Sequence, residues 1–290
     1  MIDKIHHITR TMGKLFGLML ISSLLWTACT NRDQKIEYGD NNGKYLTILD
    51  TEIYYEEYGQ GVPLILLQGG MGSIHDFAKC IPELSKHYRV IAPDSPGQGR
   101  SELADSMSYE LMADYISKMI DVLKLDSAYV MGWSDGGNTG LILGSNRPDK
   151  VKKVLASGAN YKLSGYPSIL NDTSDWEKEL KSPEFKIKYK EGIKIYDSIS
   201  PTPRDLTKML FDINKMWHKE IYFTPTFLKN IKIPVMIVLG DRDAVTLEHG
   251  IEMHRLIKDS QLCILPNTSH AVFDERADLI NRIAMDFFSK

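Results

Sequence analysis

The chain has 290 residues, 43% hydrophobic and 25% charged, with a formal net charge of −3. That is the make-up of an ordinary globular protein, long enough for one large α/β domain with an insertion, and it excludes a disordered or fibrous chain. The slightly acidic balance leaves no basic face for nucleic acid. Three cysteines, Cys29, Cys80 and Cys263, form neither a disulfide framework nor a zinc-type CxxC pair.

At the N-terminus Lys4, Arg10 and Lys14 lead into a mostly apolar run over residues 15–26. The run is short for a bilayer span and fits the core of a secretory signal. Trp26-Thr27-Ala28-Cys29 resembles a bacterial lipoprotein signal, although leucine is usual where Trp26 stands. The resemblance implies removal of residues 1–28 and a lipid, palmitate included, on Cys29. The protein would then be exported and membrane-anchored at the cell envelope, facing the periplasm or the surface. An uncleaved membrane anchor is the alternative. Residues 29–44 are polar and glycine-containing and read as a tether with a reach of roughly 20 Å.

Residues 45–49 and 52–58 alternate as a strand pair, and 63–67 form a continuous apolar run typical of a strand buried on both faces. The loop Gln68-Gly69-Gly70-Met71-Gly72-Ser73 is glycine-rich but lacks the GK[ST] of a phosphate cradle. A strand is expected over 88–93. The turn over 94–101 follows it, with Asp94 placed to satisfy backbone donors. Residues 109–124 carry Leu111, Met112, Tyr115, Ile116, Met119, Ile120 and Leu123 on one helical face, a packing stripe. Then a short strand, 128–131, runs into Gly132-Trp133-Ser134-Asp135-Gly136, followed by a helix from near Asp135. A serine on such a sharp strand-to-helix turn is held at strained angles with its hydroxyl exposed. The glycines two before and two after it let the turn close. Ser134 is therefore the candidate nucleophile.

A strand over 151–157 comes next. Asn160 lies just beyond it, but an amide cannot stabilise an imidazolium as a carboxylate does. Residues 161–229 are rich in charge, aromatics and proline and read as an inserted helical cap. Met209, Phe211, Met216, Trp217, Tyr222 and Phe223 either line its pocket or form its own core. The strand 233–239 ends in Gly240-Asp241-Arg242-Asp243, with two carboxylates that could also serve as turn or capping groups. After a strand at 261–266, His270 sits in a polar turn. A final helix carries Ala277, Ile280, Ala284, Phe287 and Phe288 on one face. His249 and His254 are five apart on one helix, where a metal pair wants three or four, so no metal site is expected.

The order Ser134, Asp243, His270 and the D-x-x-G-x-G-x-S turn at 94–101 resemble the α/β-hydrolase family, serine-nucleophile branch, over residues 45–288. The resemblance implies a mostly parallel central sheet with helices on both faces and a cap. The core would span 45–160 and 230–290, with the cap at 161–229. It implies Asp243 as the catalytic acid, Asp241 being the alternative, and an oxyanion hole from the N–H groups of Gly70 and Asp135. Gln68 stands where the family usually has a loop-shaping histidine. Serine at the elbow argues against the dehalogenase and epoxide-hydrolase branches. GWSDGG, Ser157-Gly158-Ala159-Asn160 and Lys215-Met216-Trp217 are similar to the biphenyl-hydrolase-like (valacyclovir-hydrolase) group, whose acidic residue after the nucleophile contacts a substrate amino group. Asp135 occupies that position, and is equally placed as a first-turn helix acid. Trp217 is a further candidate for substrate binding. The expected activity is hydrolysis of small-molecule carboxylic esters, among them amino-acid esters, through an acyl-enzyme and with no cofactor. An aminoacyl amidase, peptidase or C–C bond hydrolase on the same triad, and a non-catalytic ligand-binding lipoprotein, are the alternatives.

Overall fold

The computed structural model describes residues 37–40, 42–167, 175–188, 190–200, 202 and 204–290. The signal segment, Cys29 and most of the expected tether lie outside these residues. The tether's described end is not a free linker. Tyr38 packs edge-on against Tyr58 with ring centroids 5.1 Å apart. The N–H groups of Gly39 and Gly43 donate to Glu56 and to the Tyr54 hydroxyl at 2.9 and 2.8 Å. Arg100 pairs with Asp40. Acceptors on one strand thus draw the chain onto the domain several residues before the expected boundary at 44.

Eight strands form one sheet: β1 (Lys44–Ile48), β2 (Thr51–Tyr58), β3 (Val62–Leu67), β4 (Tyr88–Pro93), β5 (Ala128–Trp133), β6 (Val151–Ser157), β7 (Val235–Gly240) and β8 (Gln261–Leu265). Their order is β1-β2-β4-β3-β5-β6-β7-β8. β1–β2 and β2–β4 are antiparallel, and every other pair is parallel. The chain steps from β3 to β4 in one direction, then returns to place β5 on the other side of β3. That reversal opens a crevice beyond the carboxyl ends of β3 and β5, where open α/β sheets bind ligands. Leu67 and Gly132 are register partners there, so the loop after β3 and the turn after β5 are neighbours.

Helices cover both faces. α1 (Tyr109–Val122) starts where the Ser108 hydroxyl accepts the Leu111 N–H, and it buries Met112, Tyr115, Ile116, Met119 and Ile120. α2 (Asp135–Asn146) follows β5 directly. Between β6 and β7 the described elements are mainly helical: α3 (Trp176–Lys181), α4 (Pro183–Lys188), α5 (Lys190–Ser198), α6 (Leu206–Trp217) and α7 (Pro225–Lys229). α8 (Leu247–Leu256), α9 (Val272–Glu275) and α10 (Ala277–Ser289) complete the chain. The period of two in each strand divides the core. Leu64 and Leu66 face a cluster with Ile280, Ala284, Phe287 and Phe288 of α10, whereas Ile65 and Leu67 face α1 and α2. The continuous apolar run of β3 is explained by this two-sided burial.

The cap is fixed to the core by Arg204, whose guanidinium donates to the Gly99 and Ser101 carbonyls at 2.9 Å and to the Tyr196 carbonyl at 2.5 Å. Of the six candidate pocket residues, Met209, Met216, Tyr222 and Phe223 are buried in the apolar cluster, and Phe211 packs on Trp176. Trp217 also packs against that cluster, but its Nε1 is turned to Asp135. Among the described residues no helix is long and apolar enough to cross a membrane.

Candidate active site

Ser134 sits between β5 and α2 with φ +54° and ψ −113°. A non-glycine residue held there stores strain of about 1–3 kcal/mol, which persists only if its surroundings enforce it. They do: the Ser134 N–H donates to the Ser157 carbonyl at 2.7 Å, and the Asn138 N–H to the Ser134 carbonyl at 3.0 Å. A Cβ on Gly136 would strike the Leu67 carbonyl, and one on Gly132 would strike Gly136, so neither position has room for a side chain.

The structure brings Asp243 to His270. His270 Nδ1 lies 2.6 Å from Asp243 Oδ1, and the Asp243 side chain is fully buried. The carboxylate is held in turn by the Val245 and Gly240 N–H groups at 3.0 and 3.2 Å. Asp241, the other candidate acid, instead accepts the Thr268 N–H at 2.9 Å and steadies the loop that carries His270. Hydrogen bonds from that loop's backbone hold its carboxyl below the usual carboxylate range.

The loop after β3 turns tightly, with the Gly72 N–H on the Gly69 carbonyl at 3.1 Å and Met71 at φ +62°. Gln68, in place of the family's usual histidine, shapes this loop through its amide, which donates to the Gly72 carbonyl at 3.0 Å. Asp94 reaches the same region. It accepts the Ile74 and Arg100 N–H groups at 2.9 and 2.7 Å, the structural role expected of it. Burial nevertheless pushes its carboxyl up to about 7 against those two backbone donors.

Asp135 is buried rather than turned to solvent like an ordinary first-turn acid. Its carboxylate accepts from the Tyr109 hydroxyl at 2.8 Å and from Trp217 Nε1 at 3.0 and 2.9 Å. Burial raises its pKa, opposed by those two hydrogen bonds and by the charge of His270. The same carboxylate crowds Gly70, where any Cβ would fall under 3.0 Å from Asp135 Oδ2 and the Trp217 ring. The candidate oxyanion residue, the acid beside the nucleophile and the cap tryptophan therefore meet at one place.

Asn160 pairs with Asn138, whose Oδ1 accepts its N–H at 2.9 Å. His249 is stacked on Tyr161 with centroids 4.8 Å apart, and burial holds it down at about 4; His254 Nδ1 instead meets Ser260 Oγ at 2.9 Å. His218 stacks on Trp176 inside the cap. Among the described residues no group of three or more His, Cys, Asp or Glu is gathered to hold a metal ion. Two neighbours of His270 take a role that the sequence does not assign them, Gly158 standing there only as part of the segment Ser157-Gly158-Ala159-Asn160. Gly158, at φ +60°, leaves the space its ring occupies, and Tyr166 meets that ring edge-on at 5.5 Å. The positive φ of a lone glycine at a strand end has no pattern in the sequence, and Tyr166 looks like any cap aromatic.

Comparison with known proteins agrees with this fold. A model of the alpha/beta hydrolase fold matches residues 62–185. The chain is 27% identical over 252 residues to the serine hydrolase BPHL of Homo sapiens, covering 81% of this chain and 82% of that one. It is 26% identical over 266 residues to 2-hydroxy-6-oxo-2,4-heptadienoate hydrolase of Pseudomonas putida, covering 82% and 93%. The solved enol-lactonase of Burkholderia xenovorans superposes with a TM-score of 0.68 at 20% identity, over 85% of this chain and 100% of that one. With its mostly parallel sheet, its strained serine turn and these relatives, the chain has the α/β-hydrolase fold and is a hydrolase.

Proposed function

We propose that this hydrolase cleaves carboxylic esters of small molecules through an acyl-enzyme, with esters of amino acids as the favoured class. The observation that carries the reading is the 2.6 Å contact of His270 with the buried Asp243, in a chain whose Ser134 is held at a strained elbow. His270 takes the Ser134 proton, and Asp243 fixes its tautomer and stabilises the imidazolium. The N–H groups of Gly70 and Asp135 receive the oxyanion, each worth about 3 kcal/mol of barrier. His270 then protonates the leaving group, and water releases the acyl group. Asp135 supports the substrate class. Its buried carboxylate is met by two neutral donors, Tyr109 and Trp217, and a substrate ammonium would supply the charge they lack.

The test is hydrolysis of p-nitrophenyl esters and aminoacyl esters, free and N-acetylated, by the protein and its Ser134→Ala variant. Activity that the substitution removes supports the serine route, and a preference for free amines supports Asp135. Turnover confined to amides or to vinylogous diketones would move the reading to an amidase or a C–C bond hydrolase. A folded protein inert to all of these, with Ser134 unlabelled by a fluorophosphonate, would favour a binding lipoprotein. Export and anchoring through Cys29 belong to the same proposal and rest on the N-terminal motif. Cells fed an alkyne-tagged palmitate should label the full chain and not its Cys29→Ala variant.

A further inference from the structure

We infer that Trp133, the residue before the nucleophile, is a positioning residue that fixes His270 against Ser134. It ends β5, and strand alternation sends its side chain to the face that carries the histidine loop. Its Nε1–H donates to the His270 carbonyl at 2.7 Å, and its ring lies 5.6 Å from the imidazole. The other edge of the indole rests on the loop after β3, where a Cβ on Gly69 would lie 3.1 Å from Trp133 Cε3. One side chain, bonded in sequence to the nucleophile, thus touches both the loop that carries the base and the loop that carries Gly70.

The need for it follows from the topology. His270 follows β8, three strands away from β5 in the sheet order, a path of roughly 14 Å through successive ladders. The other described hydrogen bonds of this loop hold its neighbouring residues or the imidazole, not the His270 main chain: Thr268 to Asp241 and Arg242, Ser269 to Glu275, the Ala271 N–H to Ser269 Oγ, and the ring Nδ1 to Asp243. After it, the N–H groups of Asp274 and Glu275 bond to Ala271, so α9 starts one residue too late to hold His270 itself. The indole bond closes that gap and refers the position of the base to the strand that bears the nucleophile. A drift of 1 Å in such a pair costs on the order of a hundredfold in rate.

The inference rests on the reading of Ser134, His270 and Asp243 as the reacting groups, and its test separates the two. Trp133→Phe keeps an aromatic ring on Gly69 and removes the N–H donor. The expected result is a fall in kcat of about tenfold with KM within about twofold. The downfield proton resonance of the His270–Asp243 hydrogen bond should also broaden, while the Tm stays near that of the parent. Replacing Trp133 by benzothienylalanine, which has the indole shape with sulfur in place of N–H, should give the same loss if the phenylalanine variant fails to fold. An unchanged kcat and an unchanged resonance in a folded variant would overturn the inference and leave the serine mechanism standing. Absence of any Ser134-dependent turnover in the parent would overturn the mechanism instead, and the resonance would still report whether Trp133 holds the histidine.

Discussion

Replacing Gly158 by alanine tests how closely the base is seated. A Cβ there would lie 2.6 Å from His270 Cε1 and 2.8 Å from Nδ1, where ordinary contacts begin at 3.4 Å. The ring must withdraw by about 1 Å to restore van der Waals distance. Asp243, fully buried and held by backbone N–H groups, cannot follow the ring. That withdrawal stretches the 2.6 Å bond from His270 to Asp243 to roughly 3.5 Å, beyond useful hydrogen-bond range. Misplacement on this scale should lower kcat about a hundredfold. The left-handed backbone at φ +60° costs alanine a further 1–2 kcal/mol or so of stability, a Tm drop of about 2–8 °C in a domain of this size. Gly39→Ala is the control. It has φ +92° but meets its nearest neighbour at an ordinary 3.5 Å, far from the imidazole, so it should lose stability and keep activity. The assay is kcat on a p-nitrophenyl ester, with fluorophosphonate labelling, below both melting points. If Gly158→Ala loses Tm like the control but retains kcat within about threefold, the packing of His270 on Gly158 is not what seats the base.

Two buried titrating groups make opposite demands on stability. Asp94 is raised from 3.8 to about 7 by desolvation, so the folded state holds a proton that the unfolded chain releases. Its contribution is complete below pH 4 and is lost as pH rises through 7, on the order of 4 kcal/mol at most. In Asp94→Asn the loss of Tm between pH 5 and 8 should be visibly smaller; an unchanged slope would mean that the two backbone donors keep Asp94 ionised. His249 is depressed from 6.5 to about 4, mainly by burial, with Lys162 adding to the effect and Glu252 opposing it. Here the unfolded chain takes up the proton first, so stability present above pH 6.5 is lost as pH falls toward 4, about 2–3 kcal/mol. His249→Gln, which keeps an acceptor for the Tyr161 N–H, should flatten the acid limb of the Tm profile, and an acid limb as steep as the parent's would refute the assignment.

Much of the site could be read from the sequence because its parts are tied to local rules. Ser134 needs small residues on both sides of a tight turn, and Asp94 needs a run of backbone donors, so both leave short patterns. The choice between Asp241 and Asp243 was different. Both lie in one turn, and only the tertiary path of the histidine loop decides which carboxylate meets His270 and which accepts Thr268. Asp135 was legible as a position but not as an environment. Its burial depends on Tyr109, from a helix before the elbow, and on Trp217, more than 80 positions later in the cap. Gly158, Tyr166 and the hydrogen bond of Trp133 depend wholly on where His270 arrives, and no local period encodes that. The docking of Gly39 and Gly43 on β2 was hidden for the same reason, since glycine and asparagine there read as linker until Tyr54 and Glu56 supply partners.

Asp135 poses an electrostatic problem whose solution defines the substrate. Its Oδ2 lies within roughly 4 Å of the Gly70 Cα, given an ordinary carbon–carbon bond of about 1.5 Å. With the oxyanion on the Gly70 N–H at a like distance, an ionised carboxylate would repel it by about 4 kcal/mol at an effective dielectric of 20. That is as large as the roughly 3 kcal/mol supplied by one oxyanion donor. Tyr109 and Trp217 contribute hydrogen bonds but no positive charge, so they soften the repulsion without cancelling it. A substrate ammonium beside the carboxylate cancels it and adds a charged hydrogen bond of about 1.5–3 kcal/mol. Asp135→Asn should therefore act in opposite directions on the two substrate classes. On free aminoacyl esters kcat/KM should fall about 10- to 100-fold. On neutral or N-acetylated esters, where the carboxylate only opposes the oxyanion, it should hold steady or rise. A fall of equal size on both classes, with the fold intact, would mean that Asp135 serves to orient Trp217 and Tyr109 and takes no part in choosing the substrate.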